Sequence, residues 1–153
     1  EIGSSGCSDA PHLHLQIMTP AGEVIDPFLD DLWCSPPVYD TPLSFMEAWL
    51  LEGPAKLYEN PGQDPPEETT ALSVGSTLLT YAVVAGGLPG EDLGVVLEGP
   101  DGSTLGPWPF VFEESWQLST WVWSFTTKGP PGEWTARYLI NGESVSEKPF
   151  TLQ

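Results

Sequence analysis

Residues 134–152 read WTARYLINGESVSEKPFTL, the clearest strand pattern in the chain. From Trp134 to Ile140, apolar residues at every second position alternate with polar or half-exposed ones, which is the period of a β-strand with one buried face. Asn141-Gly142 is a dipeptide preferred in two-residue type I′ turns, and residues 145–152 then return as a second strand. The stretch therefore predicts a β-hairpin.

Further strand signals precede the hairpin at short intervals. Strands are predicted over residues 78–84, 94–98, 108–112 and 118–125. Residues 43–57 are open between helix and strand, because their helix formers are cut short by Gly53-Pro54. The closing segment resembles the last hairpin of immunoglobulin-like modules in secreted bacterial proteins. The prediction for residues 43–153 is a mainly β structure, an immunoglobulin-like antiparallel β-sandwich.

The charge balance restricts the partners of the chain. It contains 22 acidic and 4 basic residues, for a net charge of −18. Such a surface repels phosphates and anionic lipid headgroups, so we expect neither nucleic-acid nor membrane-surface binding. The plainer interpretation of the charge is solubility, for example where salt screens the self-repulsion. No apolar run approaches the ~18 residues of a membrane span.

A strand-like segment near the N-terminus carries the two histidines of the chain. Residues 11–17 read PHLHLQI, and this period-two alternation places His12 and His14 on one face, with leucines on the other. Their Cα atoms would lie roughly 7 Å apart. One imidazole could then bind a metal while the other reaches a reacting group. An HxH pair alone fits two histidines on a solvated face equally well.

The flanking residues make the histidine segment more specific. GSSGCSDAPHLH occupies residues 3–14, and GEVIDPF follows at 22–28. Together they resemble the closing segment of lysostaphin/LytM-type zinc endopeptidases, where a glycine-serine loop leads into PHLHFE and a (V/I)DP(Y/F) motif follows the next turn. Ala10 stands where that family has glycine. The resemblance covers about the first 35 residues.

The resemblance implies a role for each histidine. His14 would be the zinc ligand and His12 the catalytic histidine. The zinc would polarise a peptide carbonyl and activate water, and His12 would move a proton or steady developing charge. Substrates of the family are peptide bridges of bacterial peptidoglycan. Its other zinc ligands lie in an upstream HxxxD motif that this chain lacks, so the chain alone is expected to be inactive.

These features predict a division of the chain into three parts. Residues 1–34 would be the C-terminal segment of a peptidase domain, 35–42 a linker and 43–153 the sandwich. Residues 1–34 hold too little apolar material for a core of their own, which predicts an incomplete peptidase sheet whose N-terminal part is missing.

The expected function is that of the C-terminal portion of a secreted zinc metalloendopeptidase acting on peptidoglycan peptides, with an accessory immunoglobulin-like domain. One alternative is a non-catalytic cell-envelope binding or scaffold protein that retains a degenerate peptidase remnant. Another is an adhesion module without peptidase ancestry.

Cys7 and Cys34 are the two cysteines of the chain. They could be buried thiols, a metal pair or a disulfide, and the lack of CxxC spacing argues against a cysteine zinc site. We expect the disulfide, and with it an extracellular or periplasmic location. In the peptidase family's arrangement it would pin the loop before the histidines.

Tryptophans are dense in the predicted sandwich. Trp121 and Trp123 share one face of a strand, and they could either fill the core or offer a platform for sugar rings. Core packing is favoured for both and for Trp134. Trp108, which lies between two prolines, is expected to be exposed. Trp116 is the remaining member of this dense group at residues 108–134.

Overall fold

The computed structural model describes residues 17–25, 34–35, 41–53 and 68–153. The chain divides into two compact units, Glu1–Val38 with Tyr58–Pro65 and Tyr39–Leu57 with Pro66–Gln153. Much of the predicted linker lies outside the described residues, so the limits 1–34, 35–42 and 43–153 stay a prediction. Within the described residues, no helix is long and apolar enough to cross a membrane.

The first unit is described as a short antiparallel hairpin. Strand β1 is Ile17–Met18 and β2 is Val24–Ile25, with Ile17 opposite Ile25. The Gly22 N–H donates to the Thr19 carbonyl at 2.9 Å and closes the turn. Gly22 adopts φ +87°, a conformation that glycine reaches without steric cost.

The described residues of the second unit form eight strands in two sheets. In chain order they are β3 Ser44–Glu52, β4 Ala71–Leu72, β5 Thr77–Ala85, β6 Asp92–Glu98, β7 Thr104–Val111, β8 Leu118–Thr126, β9 Gly132–Ile140 and β10 Glu143–Leu152. One sheet has the order β4-β10-β9-β6-β7 and the other β3-β5-β8. This is the strand order of an immunoglobulin-like sandwich, and it confirms the predicted fold class.

The pairing of the strands is antiparallel with one exception. The short β4 runs parallel to β10, with Ala71 opposite Thr151. The other pairs within the two sheets are antiparallel, as predicted. No local sequence pattern predicts a two-residue strand whose partner lies 80 positions later in the chain, so β4 was not predicted.

The C-terminal hairpin is confirmed in detail. Asn141 has φ 52° and Gly142 φ 79°, the two positive values that a type I′ turn requires. The pairing of β9 with β10 runs from Ile140 and Glu143 at the turn to Gly132 and Leu152 at the far end.

The ambiguous residues 43–57 form a strand where the structure describes them. β3 pairs with β5 from Ser44 opposite Ala85 to Glu52 opposite Leu78. Leu50 faces the core, while Trp49 lies on the opposite side of the sheet. Pairing with a distant strand thus overrides the helix propensity of the segment.

The hydrophobic core lies between the two sheets. Both sheets contribute alternate residues of each strand, as period-two patterning requires. Its fully buried members include Leu50, Leu78, Ala82 and Val84 from one sheet and Leu93, Val95, Ala136 and Tyr138 from the other.

Candidate functional site

The predicted peptidase site lies largely outside the described residues. His12 and His14 belong to the part of the chain that the structure does not describe, so their roles stay predictions. The described hairpin begins three residues after His14, and β2 ends at Ile25, immediately before the DP motif. The short turn expected between the two motifs is therefore present at residues 19–22.

A side chain also stabilises this turn. The Glu23 N–H donates to the Thr19 hydroxyl at 3.2 Å, and the Thr19 N–H donates to the Glu23 carbonyl at 2.9 Å. These bonds hold β1 and β2 in register. The segment after the histidines and the segment before the DP motif are consequently antiparallel neighbours.

The predicted disulfide and the predicted metal site are not tested by the described residues. Cys34 is exposed and carries a free thiol in the structure, while Cys7 lies outside the described part, so the bridge stays a prediction. Among the described residues, no three His, Cys, Asp or Glu side chains form a group that could hold a metal ion.

A row of aromatic side chains closes one side of the sandwich. β7 and β8 are edge strands of the two different sheets. Phe110 of β7 packs on Trp121 of β8 with ring centroids 3.8 Å apart, and Trp108 packs on Phe125 at 4.5 Å. We call these four residues the aromatic seam. Period-two alternation along each strand supplies its members.

One hydrogen bond and two further aromatic contacts also fix Trp121 of the seam. The Trp121 indole N–H donates to the Ser119 hydroxyl at 2.8 Å. Phe112 meets Trp121 edge-on at 5.6 Å, and Trp116 meets it at 6.2 Å. Edge-to-face contacts of this kind stabilise aromatic clusters beyond their buried area.

An open groove lies at the Trp108 end of the seam. Its volume is about 470 Å³, and it is lined by Leu105, Trp108, Trp123, Ser124, Phe125, Thr126 and Lys128. We call it the Trp108 groove. Trp108 remains 37% exposed there, although its ring contacts Phe125. The volume falls within the range of small-molecule sites.

Gly106 is what permits the position of the Trp108 ring. A Cβ atom at Gly106 would lie 2.7 Å from Cε3 of Trp108 and 2.9 Å from the carbonyl oxygen of Val95. Gly106 also has φ +103°, which other residues rarely adopt. The indole is thus seated over a backbone position that accommodates only glycine.

A second groove lies near Trp116 and has a different electrostatic character. It is lined by Phe110, Val111, Glu113, Glu114 and Trp116, with a volume of about 540 Å³. Trp116 is 38% exposed, close to the value for Trp108. Both glutamates are exposed, so this groove is acidic.

The described basic side chains differ in their partners. Arg137 pairs with Glu98 at 2.9 Å and Glu147 at 3.0 Å, and Lys148 pairs with Glu68 at 3.0 Å. Lys128 is exposed and forms no ion pair with any described residue. Among the described residues, Lys128 therefore has no acidic partner, and it lines the Trp108 groove of a strongly acidic protein.

The tryptophan predictions agree with the structure. Trp134 is 3% exposed in the core, and Trp121 and Trp123 are partly buried against it. Trp108 is exposed, as its flanking prolines indicated. Sequence reasoning missed Lys128 as a groove residue, because its position beside Trp108 depends on two edge strands of different sheets.

Comparisons with known proteins add a limited fold likeness. No family model matches the chain, and no curated protein matches it in sequence. Among solved structures, it is similar to an immunoglobulin-like protein from Pseudomonas aeruginosa at 15% identity and TM-score 0.48, covering 74% of this chain and 98% of that one.

Two longer proteins also contain a similar region. The alkylpurine DNA glycosylase AlkC of Pseudomonas fluorescens matches at 13% identity and TM-score 0.39, over 72% of this chain and 30% of that one. A β-glucosidase from Listeria innocua matches at 12% identity and TM-score 0.43, over 69% of this chain and 16% of that one.

Proposed function

We propose that this chain contributes the C-terminal segment of a secreted zinc metalloendopeptidase acting on peptidoglycan peptides, with the sandwich as its accessory domain. The observation that carries the proposal is the pair of motifs PHLH at 11–14 and IDPF at 25–28. The β1–β2 hairpin supports it, because a short turn between the two motifs is what the family resemblance requires.

Each histidine has a distinct role in this proposal. His14 would hold the zinc, since neutral imidazole is a preferred zinc donor. His12, two positions away on the same face of a strand, would hold or transfer a proton at its free ring nitrogen. A zinc ion held there would supply Lewis-acid polarisation of a peptide carbonyl.

The donor set of this chain also implies a partner segment. A catalytic zinc takes three protein ligands, and this chain contains two histidines. We propose that the remaining ligands come from an HxxxD-bearing N-terminal part of the peptidase domain. The setting would be the cell envelope, where a Cys7–Cys34 disulfide is chemically stable.

Zinc titration of the 153-residue chain by calorimetry tests the metal assignment. Weak binding is expected that disappears in His14→Ala. Since His12 is proposed not to coordinate the metal, His12→Ala serves as the matched control and should retain binding. Equal binding by His14→Ala, or tight stoichiometric binding by the chain alone, would contradict the assignment.

Hydrolysis by the protein encoded by the complete gene tests the activity. Release of soluble fragments from purified peptidoglycan is expected for the wild type and is lost in both His12→Ala and His14→Ala. Retained hydrolysis in either variant, or a complete gene without an HxxxD motif, would overturn the proposal. The second outcome would favour a scaffold protein.

A further inference from the structure

We propose that the Trp108 groove binds a saccharide that bears a carboxylate, with a sugar ring on the Trp108 indole and the carboxylate at the Lys128 ammonium. The groove lies wholly within the sandwich and is lined by residues of β7, β8 and the segment that follows β8. The proposal goes beyond the peptidase role and does not depend on it.

The aromatic part of the groove is preformed. Trp108 is seated over Gly106 and against Phe125, and 37% of its surface stays exposed in the groove. An ordered ring loses little conformational entropy when a ligand stacks on it. The C–H face of a sugar ring is flat and apolar, and it matches the exposed indole.

The polar part of the groove suits a ligand rich in hydroxyl groups. Ser124 and Thr126 line it and are exposed. β8 pairs with β5 on one side and is an edge strand of its sheet, so its other edge offers backbone donors and acceptors. An amphipathic ring with hydroxyls around its rim can use both kinds of surface.

The charge of Lys128 selects an acidic saccharide over a neutral one. At physiological salt the Debye length is about 8 Å, so the distant acidic residues of the protein are largely screened while a contact charge is not. A single unpaired ammonium can bind one carboxylate by a charge-assisted hydrogen bond.

Calorimetry with two matched sugars and the full 153-residue chain tests this assignment. The acidic probe is a peptide-free tetrasaccharide of alternating N-acetylglucosamine and N-acetylmuramic acid. The neutral probe is tetra-N-acetylchitotetraose, which lacks the lactyl carboxylates. The acidic probe is expected to bind about tenfold more tightly than the neutral one.

Variants separate stacking from charge. Trp108→Ala should weaken both sugars by about tenfold or more, and Trp108→Phe should recover part of that loss. Lys128→Gln should remove the preference for the acidic sugar and leave the neutral one unchanged. Trp116→Ala is the control, because Trp116 is equally exposed but lies in the acidic groove.

Several results would overturn the proposal. These are no binding of either sugar, unchanged binding by Trp108→Ala, or a preserved acidic preference in Lys128→Gln. Stronger binding of a free, carboxylate-bearing stem peptide would assign the groove to a peptide instead. Since Lys128 is exposed, its variant remains informative if Trp108→Ala proves unstable. A failure of sugar binding would not affect the zinc titration, which tests the role of His14 separately.

Discussion

The carboxylate of Glu91 accepts a hydrogen bond from the Leu43 N–H at 2.9 Å, although the two residues are 48 positions apart. The same oxygen accepts the Leu88 N–H at 2.8 Å, and the Asn141 amide donates to the other oxygen at 3.5 Å. One side chain therefore links the start of β3, the loop before β6 and the β9–β10 turn.

Loss of this carboxylate should make the protein less stable in a pH-dependent way. Partial burial raises the pKa of Glu91, but the hydrogen bonds from Leu88, Leu43 and Asn141 together lower it by a larger amount. The pKa of Glu91 therefore lies below its ordinary value of 4.5. A lowered pKa stabilises the folded state above the unfolded-state value, and this stabilisation is lost as the pH falls through the folded-state pKa.

We expect Glu91→Ala to cost about 1–3 kcal/mol at neutral pH, because two backbone donors lose their acceptor. Glu91→Gln should lose less stability than the wild type between about pH 6 and pH 3, as measured by urea unfolding. The exposed Glu143→Gln is the control. A Glu91→Gln profile parallel to the wild type would refute the linkage.

Local signals predicted much of the sandwich. Asn141-Gly142 specifies its turn because both residues tolerate positive φ, and the apolar run at 78–84 specifies β5. The residues of β3 were left open between helix and strand, and β4 was not predicted, for the same physical reason. β3 and β4 are defined by pairing with β5 and β10, which lie far away in the chain and leave no local periodicity.

The two candidate sites also differ in how much of each could be predicted from local sequence. The histidine segment was predicted from contiguous motifs, and it stays a prediction because His12 and His14 lie outside the described residues. The exposure of Trp108 follows from its neighbours Pro107 and Pro109. Its groove could not be predicted, because Lys128 and Trp108 line one groove only when the edges of two sheets come together.

Gly129 offers a test of how tightly the core tryptophan is enclosed. A Cβ at Gly129 would lie 2.5 Å from Cζ2 of Trp134, whose indole N–H donates to the Pro130 carbonyl at 3.0 Å. Gly129 has φ +139° and Gly53 has φ +137°, but a Cβ at Gly53 would meet nothing within 4 Å.

Because the two backbones are matched, Gly53→Ala measures the conformational strain alone. We expect Gly129→Ala to destabilise the protein by about 1–3 kcal/mol more than Gly53→Ala, through overpacking against Trp134. Guanidinium unfolding followed by tryptophan fluorescence measures both. Equal losses in the two variants would mean that the Trp134 ring shifts freely.

The C-terminal turn makes a separate prediction about backbone strain. Gly142 has φ 79° with open space around it, so Gly142→Ala should cost about 1 kcal/mol without any steric clash. Gly94 has no positive φ, and a Cβ there would make an ordinary contact 3.5 Å from Pro109. Gly94→Ala should therefore lower the melting temperature less than Gly142→Ala does. The reverse order would be inconsistent with a type I′ turn.

Pro109 lies in β7, which is one of the edge strands of the five-stranded sheet. On one side β7 pairs with β6, and Pro109 lies opposite Gly94 there. On the other side β7 is the last strand of the sheet. Because proline has no N–H, it reduces the capacity of an edge strand to pair with another chain.

Pro109→Ala restores a donor at that edge, and we expect concentration-dependent self-association by light scattering. The effect should grow at about 0.5 M salt, where repulsion between molecules of net charge −18 is screened. Pro89→Ala, at an exposed position in the loop before β6, should stay monomeric under the same conditions. If Pro109→Ala also stays monomeric at high salt, edge protection must come from the twist or the side chains of β7.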